Sequence, residues 1–148
     1  MLFQRTNRSD PERVFIVVLS NEAQAADDTV QWELTAASID GVKVRQPDTA
    51  NEWAFVGIAD AAIASGSYGL VQIYGYRSTS RLFQTNTSIN TGVPLVPVAA
   101  VAYMASISSL TTSSSDVTLQ PVFAVLGESI VSSSASATVS RKIFLRAM

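Results

Sequence analysis

The alternation of apolar and polar positions predicts short strands along almost the whole chain. Residues 13–19, RVFIVVL, are β-branched or aromatic and read as a strand buried on both faces. Residues 29–34, TVQWEL, alternate. Val30, Trp32 and Leu34 share one face and Gln31 and Glu33 the other, which predicts a half-buried strand. Asp40-Gly41 signals a tight hairpin between a strand through Ile39 and one over 42–45, and Pro47 ends the second of these. Residues 53–59, WAFVGIA, form the next strand. Residues 70–76, LVQIYGY, place Val71 and Ile73 on one face and Gln72, Tyr74 and Tyr76 on the other.

A further strand is expected near 80–85, and a turn at Asn90-Thr91-Gly92. The prolines of 93–98, VPLVPV, favour an edge strand or a loop clamped on the core. Residues 99–110 suit a helical turn or a strand. Residues 117–126, VTLQPVFAVL, read as a strand with Pro121 at an edge or bulge, and 139–147, VSRKIFLRA, as a closing strand. No long stretch has a 3.6-residue period. Nine or more short strands imply an all-β fold, a compact antiparallel β-barrel or sandwich with an extended N-terminal arm.

Glycines punctuate this pattern. Gly75 continues the Val71/Ile73 face without a side chain, the mark of a bulge, a bend or a close backbone approach. Gly66 and Gly69 are expected to serve the turn before that strand. Val56-Gly57 followed by IADAAIASGSYGLVQIYGY parallels Leu126-Gly127 followed by ESIVSSSASATVSRKIFLR. In each, a glycine ends an apolar strand and a small-residue connection carries an isoleucine. The chain therefore divides into an arm over 1–13 and a single β domain over 14–148, with two related halves at about 14–92 and 93–148.

The 148 residues include 47% hydrophobic but only 15% charged, against about 25% charged in ordinary soluble domains. With a mean hydropathy of +0.25, much of the surface must be Ser, Thr, Asn and Gln, and burial against other chains is expected. A net charge of −2 argues against nucleic-acid binding, which needs clustered Lys and Arg. The chain lacks cysteine, which excludes disulfides, thiol catalysis and cysteine-based metal sites. It also lacks histidine, the commonest general base and metal ligand. We expect no catalytic activity, cofactor or metal.

Asp27-Asp28 has no calcium-loop pattern around it and reads as a solvated loop. Asp10, Glu12, Asp48, Glu52, Asp60 and Glu128 are scattered over loops, so a paired-carboxylate hydrolase is the weakest reading. The glycine cluster lacks the Lys-Ser/Thr ending of a phosphate loop. The apolar run 93–105 is interrupted by Pro94 and Pro97 and falls short of the ~20 residues of a membrane helix. The N-terminus has no apolar signal core, so neither a membrane nor Sec export is expected. In the arm, Leu2 and Phe3 form an apolar tip before Arg5, Arg8 and Arg13. It suits docking on a neighbouring chain or folding back as an edge strand. Tyr74, Tyr76 and Arg77, with Tyr68, suit an interfacial sheet face or a surface that stacks sugars or bases.

FVGIADAAIASGSYGLVQIYGY, then NTGVPLVPVAAV, then VLGESIVSSSASATVSRKIFLRA, resembles small structural proteins of tailed bacteriophages, a group that includes head decoration (cement) proteins. The resemblance covers 53–148; Pro94, Pro97 and Pro121 fall outside its pattern. It implies an all-β protein of the virion that binds the outer surface of the capsid shell and stabilises it by bridging subunits. The major capsid protein would be the partner. A homo-oligomer, favouring a trimer, or a symmetric array on the capsid would form after synthesis in the host cytoplasm. Its motifs are structural glycines, so it transfers no active site. The alternative is a carbohydrate-binding or adhesin-like β module on the virion surface.

Overall fold

β-branched and aromatic runs separated by turn residues form eleven strands in the computed structural model. It describes residues 12–34, 41–48, 54–84, 88–98, 100–106, 122–131 and 137–146. The strands are β1 (Arg13–Ser20), β2 (Thr29–Trp32), β3 (Lys43–Arg45), β4 (Phe55–Ala59), β5 (Tyr68–Arg77), β6 (Arg81–Gln84), β7 (Pro94–Pro97), β8 (Met104–Ser106), β9 (Ala124–Leu126), β10 (Ala137–Ser140) and β11 (Ile143–Arg146). The described residues contain no α-helix, so the all-β expectation holds.

The first five strands close a barrel. β1 lies antiparallel to β5 and parallel to β3; β2 lies antiparallel to β3 and β4; β4 returns to β5. Val18, Val30, Val44, Val56, Ala59, Ile63 and Val71 fill it. Small β-branched residues suit so narrow an interior.

The last six strands repeat that pairing. β6 lies antiparallel to β10 and parallel to β8; β7 lies antiparallel to β8 and β9; β9 lies antiparallel to β11. Each contact has its counterpart in the first barrel, with β10 and β11 together in the place of β5. The residue VSRKIFLRA was expected to form one strand; instead it breaks at Arg141-Lys142. Gly127 and Glu128 both hold that break, through Gly127 N to Lys142 O at 2.7 Å and Lys142 N to a Glu128 carboxylate oxygen at 2.9 Å.

The repeat extends to individual hydrogen bonds. Gln24 and Ile63 exchange both backbone bonds at 2.8 and 2.9 Å, and Ile89 and Ile130 do the same at 2.9 and 2.8 Å. The turn after each first member matches too. Asp27 N donates to Ala59 O at 3.0 Å with φ 68°, and Gly92 N donates to Leu126 O at 2.8 Å with φ 88°. These equivalences correct the sequence alignment of the repeat. Ile63 does match Ile130, but Leu126 then matches Ala59, so Gly127 falls opposite Asp60 and not Gly57. The halves part between Arg77 and Arg81 rather than near residue 92.

The two halves share a buried joint. β5 and β11 pair antiparallel from Tyr74↔Arg146 to Arg77↔Ile143. Along β4 the side chains divide between two cores, and the register with β2 passes over Val56 as a bulge. Val56 and Ala59 point into the first core, while Phe55 and Ile58 join the second with Leu82, Leu95, Met104, Leu126, Ile143 and Leu145. Phe55 meets Phe123 at 4.9 Å between ring centroids. Backbone bonds also cross the joint, from Thr29 N to Ala102 O at 3.1 Å and from Ala100 N to Pro47 O at 2.7 Å.

Several strands are buried differently from the expectation. β1 is covered on one face only, because Ile16, Val18 and Ser20 turn inward, and Val17 is 64% exposed. β2 is the reverse. Its polar face, with Thr29 and Gln31, is buried because the second half lies over it. β7 is internal, between β8 and β9, not an edge. Its prolines occupy the strand ends, where the missing N–H costs little, and Leu95 and Val96 lie between them. Gly41 has φ 69°, as a tight turn requires, and β3 pairs with β2 and β1. The expected partner through Ile39 lies outside the described residues, as do 107–121.

Two glycines are fixed by close backbone approach. A Cβ on Gly75 would lie 1.8 Å from Glu12 O, and its φ is +97°; a Cβ on Gly57 would lie 2.1 Å from Gln72 O. Gln72 is held in the β4–β5 ladder, and Glu12 immediately precedes the Arg13–Gly75 pair, so neither oxygen retreats without disturbing strand pairing. We predict that Gly75→Ala and Gly57→Ala each cost at least about 2 kcal/mol. That lowers the melting temperature by roughly 5–10 °C. Gly41→Ala, with φ +69° but open space, should cost only about 1 kcal/mol. Thermal unfolding followed by circular dichroism checks all three.

Candidate functional site

Two side-chain clusters stand out once the fold is drawn, one buried and polar, the other exposed and apolar. The polar cluster surrounds Arg77, at the end of β5. Its Nη2 donates to Asp27 Oδ1 at 2.7 Å and to Ala59 O at 3.0 Å. Nη1 donates to Asp60 Oδ1 at 3.1 Å and to Gln72 Oε1 at 3.2 Å, and Nε to Asp27 Oδ1 at 3.2 Å. Thr79 Oγ1 adds a third bond to the same Asp27 oxygen. Beside it, Arg81 at the start of β6 pairs with the buried Asp28, whose other oxygen accepts from Ala25 N at 2.7 Å.

The network corrects two expectations. Arg77, expected on an interfacial sheet face, is buried, and its guanidinium is engaged within the chain. Asp27-Asp28 is not a solvated loop: both carboxylates receive the arginines of the segment that joins the halves. The planar, forked guanidinium suits this task, because it can hold two carboxylates, an amide and a carbonyl at once. Sequence reasoning missed the site because its bonded partners lie up to fifty-three residues apart, as in the Arg81–Asp28 bond. The available signal was Asp27-Asp28 itself, a charged pair in a chain with few charges.

The apolar cluster is the outer face of the β1–β5 ladder. Val17 pairs with Leu70, and Leu19 with Tyr68. Val17, Leu70 and Tyr68 are 64, 48 and 68% exposed. Val42 is exposed beside them, where its carbonyl accepts from Leu19 N at 3.0 Å. The inward neighbours on the same two strands are Val18, Gly69 and Val71. Gly69 sits inside β5 rather than in the preceding turn. A Cβ there would strike Ile63, whose side chain fills the space at 2.4 Å. Gly66 does occupy that turn, with φ +74°. Gly127 leaves its virtual Cβ 3.1 Å from Lys142 O.

The other anticipated contacts are spread out. Tyr74 meets Phe144 edge-on at 5.6 Å, on the joint between the halves. Tyr76 is half-buried and pairs with Phe144 in the ladder. Arg13 is exposed but belongs to β1, opposite Gly75. Leu2, Phe3, Arg5 and Arg8 lie outside the described residues. The described residues hold no group of three or more acidic, histidine or cysteine side chains placed for a metal.

No family model and no curated protein matches the sequence. Among solved structures, the chain is similar to the head fiber gp8.5 N base in bacteriophage phi29. The TM-score is 0.47 at 12% identity, over 92% of this chain and 96% of that one.

Breaking the Arg77 network should be costly because it strands a buried charge. Asp27→Asn keeps the shape and the tolerance of positive φ but removes the charge. We predict a loss of roughly 2–4 kcal/mol. Lys142→Ala, which removes an exposed pair with Glu128 at 3.9 Å, should stay within about 0.5 kcal/mol. Urea unfolding of the two variants checks the contrast.

Proposed function

We propose that this chain is a virion structural protein that binds the outer surface of a phage capsid shell and stabilises it by bridging subunits. The observation that carries it is the exposed ladder of Val17, Tyr68 and Leu70, continued by the half-buried Leu19. An in-register apolar strip of this kind on a chain with only 15% charged residues marks a contact surface. The sequence resemblance to small structural proteins of tailed phages, a group that includes head decoration proteins, suggests the partner class, the major capsid protein. The role is non-enzymatic and needs no cofactor: apolar surface is buried against the shell, and symmetry repeats a modest contact many times.

A carbohydrate-binding role is less well supported. Sugar stacking needs an open aromatic face with polar groups at its rim. Tyr74 is turned edge-on to Phe144, and the guanidinium of Arg77 is committed to Asp27 and Asp60.

The test is co-sedimentation with capsid shells assembled without this chain. Saturable binding is expected, together with a higher temperature of shell disruption. Because the contact is apolar and neutral, affinity should change less than about threefold between 50 and 500 mM salt. Protein left in the supernatant at micromolar concentration would sink the proposal.

A further inference from the structure

The internal repeat supplies a control within the molecule. In the second half, the ladder that matches β1–β5 is β6–β10, where Phe83 pairs with Thr138 and Arg81 with Ser140. Leu82 and Val139 point inward there, as Val18 does in the first half. The outward positions are therefore Phe83, Arg81, Thr138 and Ser140. Phe83 is covered by Tyr103, stacked at 5.4 Å and 16°. Arg81 is drawn to Asp28. Thr138 and Ser140 are polar and exposed. The same ladder in the same fold thus accepts polar residues on its outer face. Val17, Tyr68 and Leu70 are not there because the barrel requires them.

Resting on the shell-binding role proposed above, we infer that docking is one-sided. The outer β1–β5 ladder of the first barrel is the seat, the matching ladder of the second half faces solvent, and the occupant is an uncharged apolar patch on the shell protein. Charge and area select that occupant. The ladder residues are neutral, and the charges at its end, Glu12 and Arg13, are opposite in sign. A lipid surface would call for a rim of Lys and Arg. A second copy is too small an answer. The exposed apolar area is on the order of 400 Å², so a two-fold pair would bury about 800 Å², below the ~1,200 Å² of stable interfaces.

The decisive comparison uses the full chain and shells assembled without it. Val17→Ser with Leu70→Thr gives the first ladder the chemistry of the second. Thr138→Arg with Ser140→Arg places two charges on the second. Thermal unfolding first establishes that both fold; if the first pair does not, the single Leu70→Thr is read instead. The expected result is at least a tenfold loss of shell affinity for the first ladder variant and wild-type affinity for the second. If wild-type protein binds and the first ladder variant binds equally well, one-sided docking is wrong while shell binding stands. Loss of affinity in the second ladder variant would also overturn it. If wild-type protein does not bind shells, both ideas fall. Sedimentation velocity settles the remaining occupant: a wild-type dimer that the first ladder variant dissolves would overturn the choice of the shell protein.

Discussion

One strand, β5, must serve both halves of the molecule, and much of the structure follows from that demand. Its ten residues pair with β1 along one edge, and with β4 and then β11 along the other. No straight strand meets all three partners. Pairing with β1 skips a residue between Gln72 and Tyr74, which leaves Ile73 as a bulge. Two residues later Gly75 turns to φ +97° against Glu12 O. A bulge raises local twist, and a positive-φ glycine lets two backbones approach where a Cβ would collide. Gln72 seals the bend from its own side, donating to Tyr74 O at 3.2 Å and Tyr76 O at 3.1 Å. The strand then runs straight into Arg77, whose position at the end of the bend places its guanidinium between Asp27 and Asp60.

In the second half that demand is absent, and the fifth strand is correspondingly broken. β10 serves β6, β11 serves β9 and β5, and a two-residue step separates them. The sequence follows the geometry. β5 is rich in aromatic and β-branched residues, whereas β10, ATVS, is small and polar. The joint also explains why β4, FVGIA, is buried throughout. One face closes the first barrel and the other is a wall of the second core. A strand so placed reads as a continuous apolar run.

What the sequence revealed depended on whether a signal was local. The turns at Gly41, Gly66 and Gly92, the strands around Phe15, Val56 and Ile73, and the need for Gly75 were all written in a few adjacent residues. Burial was less legible, because it depends on where the other half lies. RVFIVVL looked like an inner strand, yet one of its faces is exposed. TVQWEL looked half-exposed, yet Thr29 and Gln31 lie beneath the second half. The repeat was visible as Val56-Gly57 against Leu126-Gly127, but three residues out of register. The glycine was the conspicuous feature, while the shared element is the isoleucine of the reciprocal bridge. The Arg77 network was illegible for the same reason as burial: Asp27, Asp60 and Gln72 meet only after the barrel closes.

The polar network is better understood as fixing geometry than as adding stability. Burying a guanidinium and a carboxylate carries a desolvation cost that their attraction roughly offsets, so an apolar replacement of similar shape often folds as well. What an apolar contact lacks is direction. Hydrophobic surfaces slide, whereas five bonds from one guanidinium admit a single arrangement. Arg77 and Arg81 flank the short segment between the halves: Arg77 pairs with Asp27 inside the first barrel, and Arg81 reaches back to that barrel at Asp28. The hydrophobic joint between β4 and the second core holds the halves together; the Arg77 bonds, all within the first barrel, fix the end of β5 from which the linking segment leaves, and Arg81 ties the start of β6 to Asp28. That division matters for a molecule with one apolar outer ladder. A seat on the first barrel presents the second half in a defined direction only if the joint does not flex. Asp27, Asp28, Asp60, Arg77 and Arg81 thus sit where orientation, rather than cohesion, has to be specified.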